Sequence, residues 1–177
     1  MIYGTDYISP LGSVLLVSNG QALTGLYTQF WHGRADKDIS YADGSDLPSI
    51  KEARRWLDIY FAGCKPDFLP PLAPAGSAFR QEVWDILLTI PYGEVLTYGE
   101  IAKRIAAKHG KKQMSAQAVG GAVGANPIGI IIPCHRVIGA NGNLTGYAGG
   151  LVSKVNLLKL EGIDTDKLIM KKKSRFL

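Results

Sequence analysis

The sequence predicts a mixed α/β (α+β) protein in two parts: a small sheet-plus-helix unit over residues 1–75 and a mostly helical unit over 76–177. Three observations predict it. Two apolar runs flank Asn19-Gly20 and are followed by one amphipathic helix. Four of the nine prolines (Pro66, Pro70, Pro71 and Pro74) fall between residues 66 and 74 and mark an extended linker. Beyond them, cap residues open one helix after another.

In order, Ser13–Val17 and Leu23–Thr28 read as strands joined by a tight turn, because Asn19 and Gly20 both tolerate positive φ. Ile50, Ala53, Leu57 and Tyr60 recur at helical spacing, so Ser49–Ala62 is a helix, with Trp56 and Phe61 widening its apolar face. Gly63 is its C-cap and Cys64 an incidental thiol. Ser77 opens a helix that Pro91-Tyr92-Gly93 ends. Thr97 and Glu100 form a capping box for the next, which runs to about Lys108. A basic loop, Lys108-His109-Gly110-Lys111-Lys112, precedes a helix that Ser115 caps and that runs to about Val123. This is a helix-turn-helix pattern with an unusually long turn. The second helix is mostly Ala, Gly and Val, which suits close packing on one face and a nucleic-acid groove on the other. A last helix, about Val152–Leu160, carries Val155 and Leu158 inward, and residues 170–175 form a basic, solvated tail.

Composition narrows the classes. A hydrophobic fraction of 46% supports a core, and 20% charged residues argues against disorder. No apolar run approaches the ~20 residues that span a bilayer, and the N-terminus lacks a signal-peptide layout. Two cysteines make no disulfide framework, so a reducing, cytoplasmic setting is expected. Residues 1–75 carry six Lys/Arg against eight Asp/Glu, and 76–177 carry fourteen against seven. The positive half is the one suited to phosphate.

The chemistry centres on Ile130-Ile131-Ile132-Pro133-Cys134-His135-Arg136. The β-branched run reads as a buried strand that Pro133 stops. Cys134 then sits on a turn, and only a bend lets Cys134 and His135 cooperate. A thiolate nucleophile needs a base or a positive field; His135 supplies the base and Arg136 some of the field. Spacing alone leaves open a core cysteine beside a surface histidine.

Pro133-Cys134-His135-Arg136-Val137 resembles the signature of the O6-alkylguanine-DNA alkyltransferases, the methylated-DNA–protein-cysteine methyltransferases. Three more blocks resemble the family in order and spacing: Pro91–Tyr98, Ala118–Ala122 with Gly124–Pro127, and Gly146–Gly150. The resemblance covers about Ala78–Gly162. It implies a ribonuclease H-like N-terminal unit and a winged helix-turn-helix-like C-terminal one. The reaction implied is irreversible transfer of an alkyl group from O6 of guanine, and O4 of thymine, in double-stranded DNA to Cys134. The protein is consumed, and no cofactor is needed.

The resemblance also implies roles. His135 takes the thiol proton through a water, and Glu161 orients His135. Asn126 ties the second helix to the active-site loop. Tyr98 crowds the phosphate of the flipped nucleotide. Gln117 stands where many relatives carry an arginine that fills the vacated stack, so flipping has less electrostatic help here. Arg136, the Val137 backbone, Tyr147 and Ala148 surround the base. Contact is through the minor groove. The expected state is a monomer off the membrane. Some relatives hold zinc in the N-terminal unit, but His32 has no cysteine near it, so no metal is expected. Alternatives are a lesion-binding protein without catalysis, which replaces the cysteine, an alkylation-sensing regulator, which needs further domains, and a cysteine hydrolase.

Overall fold

The computed structural model describes residues 1–28 and 41–168. His32 and the basic tail 170–175 lie outside the described residues. Among the described residues no helix is long and apolar enough to cross a membrane.

The N-terminal part of the chain forms a sheet with strand order β3-β2-β1-β4, made of β1 (Tyr3–Ser9), β2 (Gly12–Ser18), β3 (Leu23–Thr28) and β4 (Ala42–Asp43). β1 was not anticipated: Tyr3–Ser9 mixes small, charged and apolar residues and alternates weakly, yet it pairs antiparallel with β2 along its whole length. The hairpin at Asn19-Gly20 is present but looser than expected. Ser18 pairs with Leu23, so the loop holds four residues, and only Gly20 takes positive φ. Asn19 instead uses its side chain, whose Oδ1 accepts from the Gln21 and Ala22 amides. Helix α1 (Pro48–Phe61) buries Ile50, Ala53, Trp56, Leu57 and Tyr60.

The rest of the chain contains α2 (Ala78–Leu88), β5 (Leu96–Thr97), α3 (Tyr98–Lys108), α4 (Ala116–Gly124), β6 (Val137–Ile138) and α5 (Leu151–Leu160). The caps stand where the sequence put them. Ser77 accepts from the Arg80 amide, Ser115 from the Ala118 amide, and Thr97 and Glu100 close a reciprocal box. Trp84 of α2 donates from Nε1 to the Ala122 carbonyl of α4, 2.9 Å away, which locks the two helices together.

Two segments differ from expectation. The proline stretch is extended, but it is docked rather than free: Leu23 donates to the Pro71 carbonyl and accepts from Ala73, both at 2.8 Å. Farther along the same strand, Leu26 donates to Pro127 and accepts from Gly129. The edge of β3 thus receives both segments, and one hydrophobic cluster runs from Val14 to Leu157.

Ile130–Ile132 is not a strand. Ile128 makes a single bridge to Leu26, and the chain then turns, with Ile130 at φ 69°. All three isoleucines are buried, so the apolar signal was real, but a β-branched run reports burial as much as extension. The turn holds because the Asn126 side chain replaces the missing strand partners.

Candidate active site

Pro133, at φ −83° and ψ 64°, turns the chain into a short 3-10 turn, Cys134–Arg136, closed by the Arg136 amide on the Pro133 carbonyl. β6 follows at once and pairs parallel with β5, so Thr97, the N-cap of α3, lies beside Ile138. These links place Cys134 between α3, α4 and the loop before α5. A cavity of about 50 Å³ lies against Cys134, walled by Tyr98, Gly120 and Gly124 on one side and Tyr147 and Ala148 on the other. It holds a water or two and no purine, so its walls must part to admit a base. Thr145 Oγ1 donates weakly to Tyr98 Oη across those walls, at 3.4 Å.

Glu161 follows α5, and its side chain points inward. Oε1 is 2.7 Å from His135 Nε2, accepts from Tyr60 Oη at 2.8 Å, and accepts from Arg136 Nη2 at 2.9 Å. Oε2 accepts from Arg136 Nε at 2.9 Å and from the Gly93 amide at 3.1 Å. Gly93 stands at φ 80°, a conformation that aims its N–H at the carboxylate and that glycine adopts without strain. Burial works to raise the Glu161 carboxyl, but the bonds and charges of His135 and Arg136 bring it down to about 2. An ionised Oε1 accepts a proton-bearing Nε2, so Nδ1 of the neutral ring carries the lone pair. Nδ1 is buried and has no hydrogen-bond partner among the described residues. Burial also holds the imidazole below its ordinary pKa, with the Glu161 contact opposing, so the resting ring is neutral and able to take a proton.

Burial pushes the Cys134 thiol up to about 11. Four groups pull the other way: the Asn126 amide, the Lys154 ammonium, and the N–H groups of Cys134 and His135. The resting thiol is therefore protonated, inside a shell that favours its anion. Asn126 is fully buried; its Nδ2 donates to the Ile132 carbonyl at 2.9 Å and its Oδ1 accepts from the Ile128 amide at 3.0 Å.

Lys154 and Tyr60 were missed as site residues. Lys154 is wholly buried, and its Nζ donates to the Val137 and Thr145 carbonyls at 2.6 and 3.1 Å. Burial lowers its ammonium to about 8, with the Cys134 charge working against that shift. A signal existed: Lys154 falls on the helical face of Leu151, Leu157 and Leu158, where a solvated lysine does not belong. Tyr60 was placed on the buried face of its helix, and a buried phenol needs a hydrogen-bond partner.

A family model described as "6-O-methylguanine DNA methyltransferase, DNA binding domain" matches residues 78–163. A protein of Methanosarcina acetivorans named methylated-DNA–protein-cysteine methyltransferase is 45% identical over 161 residues, 91% of this chain and 99% of that one. The chain belongs to the methylated-DNA–protein-cysteine methyltransferase family. A Haemophilus influenzae protein of the same name is 41% identical over 177 residues, covering 99% of this chain and 95% of that one. Among solved structures, Mycobacterium tuberculosis OGT in complex with DNA matches with a TM-score of 0.76 and 41% identity, covering 94% of this chain and 98% of that one.

Against the methyltransferase signature, Cys134, His135, Glu161 and Asn126 come together, and Tyr98, Tyr147 and Ala148 line the cavity. Arg136 does not. Its guanidinium turns to Glu161 and to the Ile90 carbonyl, 2.6 Å from Nη1, and it is not among the groups that bear on the Cys134 thiol. The reason is electrostatic: a buried guanidinium needs a carboxylate, and Glu161 is the one within reach. Val137 is buried beside the cavity rather than lining it, with its carbonyl on Lys154. Gln117 is exposed on the first turn of α4 and does not line the cavity.

Proposed function

We propose that this chain repairs DNA directly, by moving an alkyl group from O6 of guanine to Cys134 in one irreversible step. O4-alkylthymine is the second substrate of this reading. The S–C bond forms as the C–O bond breaks, and the thiol proton passes toward His135 Nδ1. The guanine anion released takes up one proton as the imidazolium gives one back, so the base returns to ordinary guanine and His135 to its neutral form. The single observation that carries this is the buried run Cys134, His135, Glu161, with the His135–Glu161 contact at 2.7 Å beside a cavity that touches the thiol.

The resting thiol at about 11 fits transfer on demand. A proton moved to a neutral His135 makes an imidazolium facing an ionised Glu161, and a thiolate facing Lys154 and two backbone N–H groups. Arg136 and Tyr60 act through Glu161, holding it charged and in place. Tyr98, the small residues of α4, and the Tyr147-Ala148 loop receive the flipped base, with Gln117 occupying the stack it leaves. The same reading treats residues 1–75 as a supporting domain and 76–177 as the DNA-binding and transfer domain, acting as a monomer in the cytoplasm. Two unpaired cysteines support a reducing compartment.

The test is intact-mass measurement after incubation with duplex DNA bearing O6-methylguanine. The expected gain is about 14 Da, once per molecule, and absent from Cys134→Ala. Binding without mass gain, or repeated turnover, overturns the reading.

A further inference from the structure

The turn between α3 and α4, residues 109–115, is longer than a helix-turn-helix needs, and the alkyl-transfer site uses none of it. It walls a groove of about 510 Å³ beside α3. The floor is small side chains, Gly99, Ala102 and Ala106, and the rim carries Lys103, Lys111 and Lys112. No acidic residue lines it.

The loop is held in place. The Lys111 amide donates to the Ala106 carbonyl at 2.8 Å and the Gly110 amide to Ala107 at 3.2 Å, which ties the turn to the end of α3. Glu82 of α2 takes both neighbouring side chains, with Oε1 3.2 Å from Lys108 Nζ and Oε2 2.8 Å from His109 Nε2. That division leaves Lys111 and Lys112 exposed and outside every salt bridge among the described residues. Glu100, near Lys103, is committed to capping the Thr97 amide.

α4 starts just past the groove. Its exposed positions Gln117, Gly121 and Gly124, at i, i+4 and i+7, form a strip of low relief that ends at the wall of the Cys134 cavity. Ala116, the first residue of α4, lines the groove and Gln117 begins the strip, so the lysine rim and the strip are contiguous.

We propose that this groove is a second DNA contact, holding the sugar–phosphate backbone beside the lesion through Lys103, Lys111 and Lys112. The proposal rests on the repair reading above. Its chemistry is that of a polyanion in a groove rimmed by lysines, recognised by charge and not by base sequence.

The test compares Lys111→Ala/Lys112→Ala with Lys51→Ala/Lys65→Ala, an equal charge loss at exposed sites on the N-terminal unit. Affinity for unmodified duplex DNA is measured against salt. The groove pair should lower the slope of log K on log [salt] by about 2, at ~0.9 per phosphate lost. The N-terminal pair should leave it within experimental scatter. Transfer from the free base O6-methylguanine, followed as mass gain on Cys134, should be equal in all three proteins because it needs no backbone contact. An unchanged slope in the groove pair, or an equal fall in both pairs, overturns the proposal. Wild type that gains no methyl from base or duplex defeats the repair reading instead, and the slope still reports on the groove.

Discussion

Glu161 Oε1 lies 2.7 Å from His135 Nε2, although the residues are 26 positions apart in the chain, and neither side chain is exposed. One oxygen thus serves the base, the Tyr60 phenol and the Arg136 fork. The carboxylate is the hub through which the N-terminal helix α1, the Cys134 turn and the end of α5 meet.

Removing that hub charge should unfold the protein more readily. A carboxyl at about 2 in the fold and ~4.3 in the unfolded chain stabilises fully above the higher value. That stability is lost as pH falls from about 4 toward 2. Glu161→Gln leaves Arg136 buried without its counter-charge and should cost about 3 kcal/mol at pH 7. Urea denaturation at pH 7 and at pH 3 measures both values; the gap between the two proteins should shrink at the lower pH.

Lys154 should show in the pH dependence of transfer. With His135 already neutral and taking the thiol proton inside the site, the rate should be level through neutral pH, but the ammonium that stabilises the thiolate titrates at about 8. Wild type should therefore bend downward from that level near pH 8. Lys154→Met, which fills similar volume without charge, should transfer more slowly below pH 8 and lack the bend. A bend retained in the variant assigns it to another group.

Asn126→Ala should cost about 1–3 kcal/mol. It strands the buried Ile128 amide, worth ~1–3 kcal/mol when unpaired, while the Ile132 carbonyl keeps its bond from the Cys134 amide at 2.8 Å. Equilibrium unfolding gives the number, and a loss below about 1 kcal/mol would show that the loop does not depend on this side chain.

Gln117→Arg puts a cation on an exposed position of α4. Duplex affinity should rise at low salt and converge with wild type as salt increases, while stability stays within ~0.5 kcal/mol. Unchanged affinity at low salt removes Gln117 from the DNA-facing surface.

How much was legible depended on the reach of each signal. The caps at Ser77, Thr97 and Ser115 act over one helical turn, and all three hold. The burial of the Ile130–Ile132 run was legible, its conformation was not. The run turns because Asn126 reaches across to its end, and strand propensity has no term for a side chain that does so. The proline stretch read correctly as extended, but its docking on β3 depends on backbone groups of a distant strand.

The chain's own letters determined where the helices begin, which cysteine is paired with a histidine, and which family the motifs belong to. Tertiary structure decided which charges share a dry interior. Arg136 left the cavity for Glu161, Lys154 came in beside the thiol, and Tyr60 crossed from α1 to the carboxylate. Capping and periodicity are local and short-ranged, so they can be read in order. Desolvation is set by whatever packs on a group from any distance along the chain, so it exists only once the fold has closed.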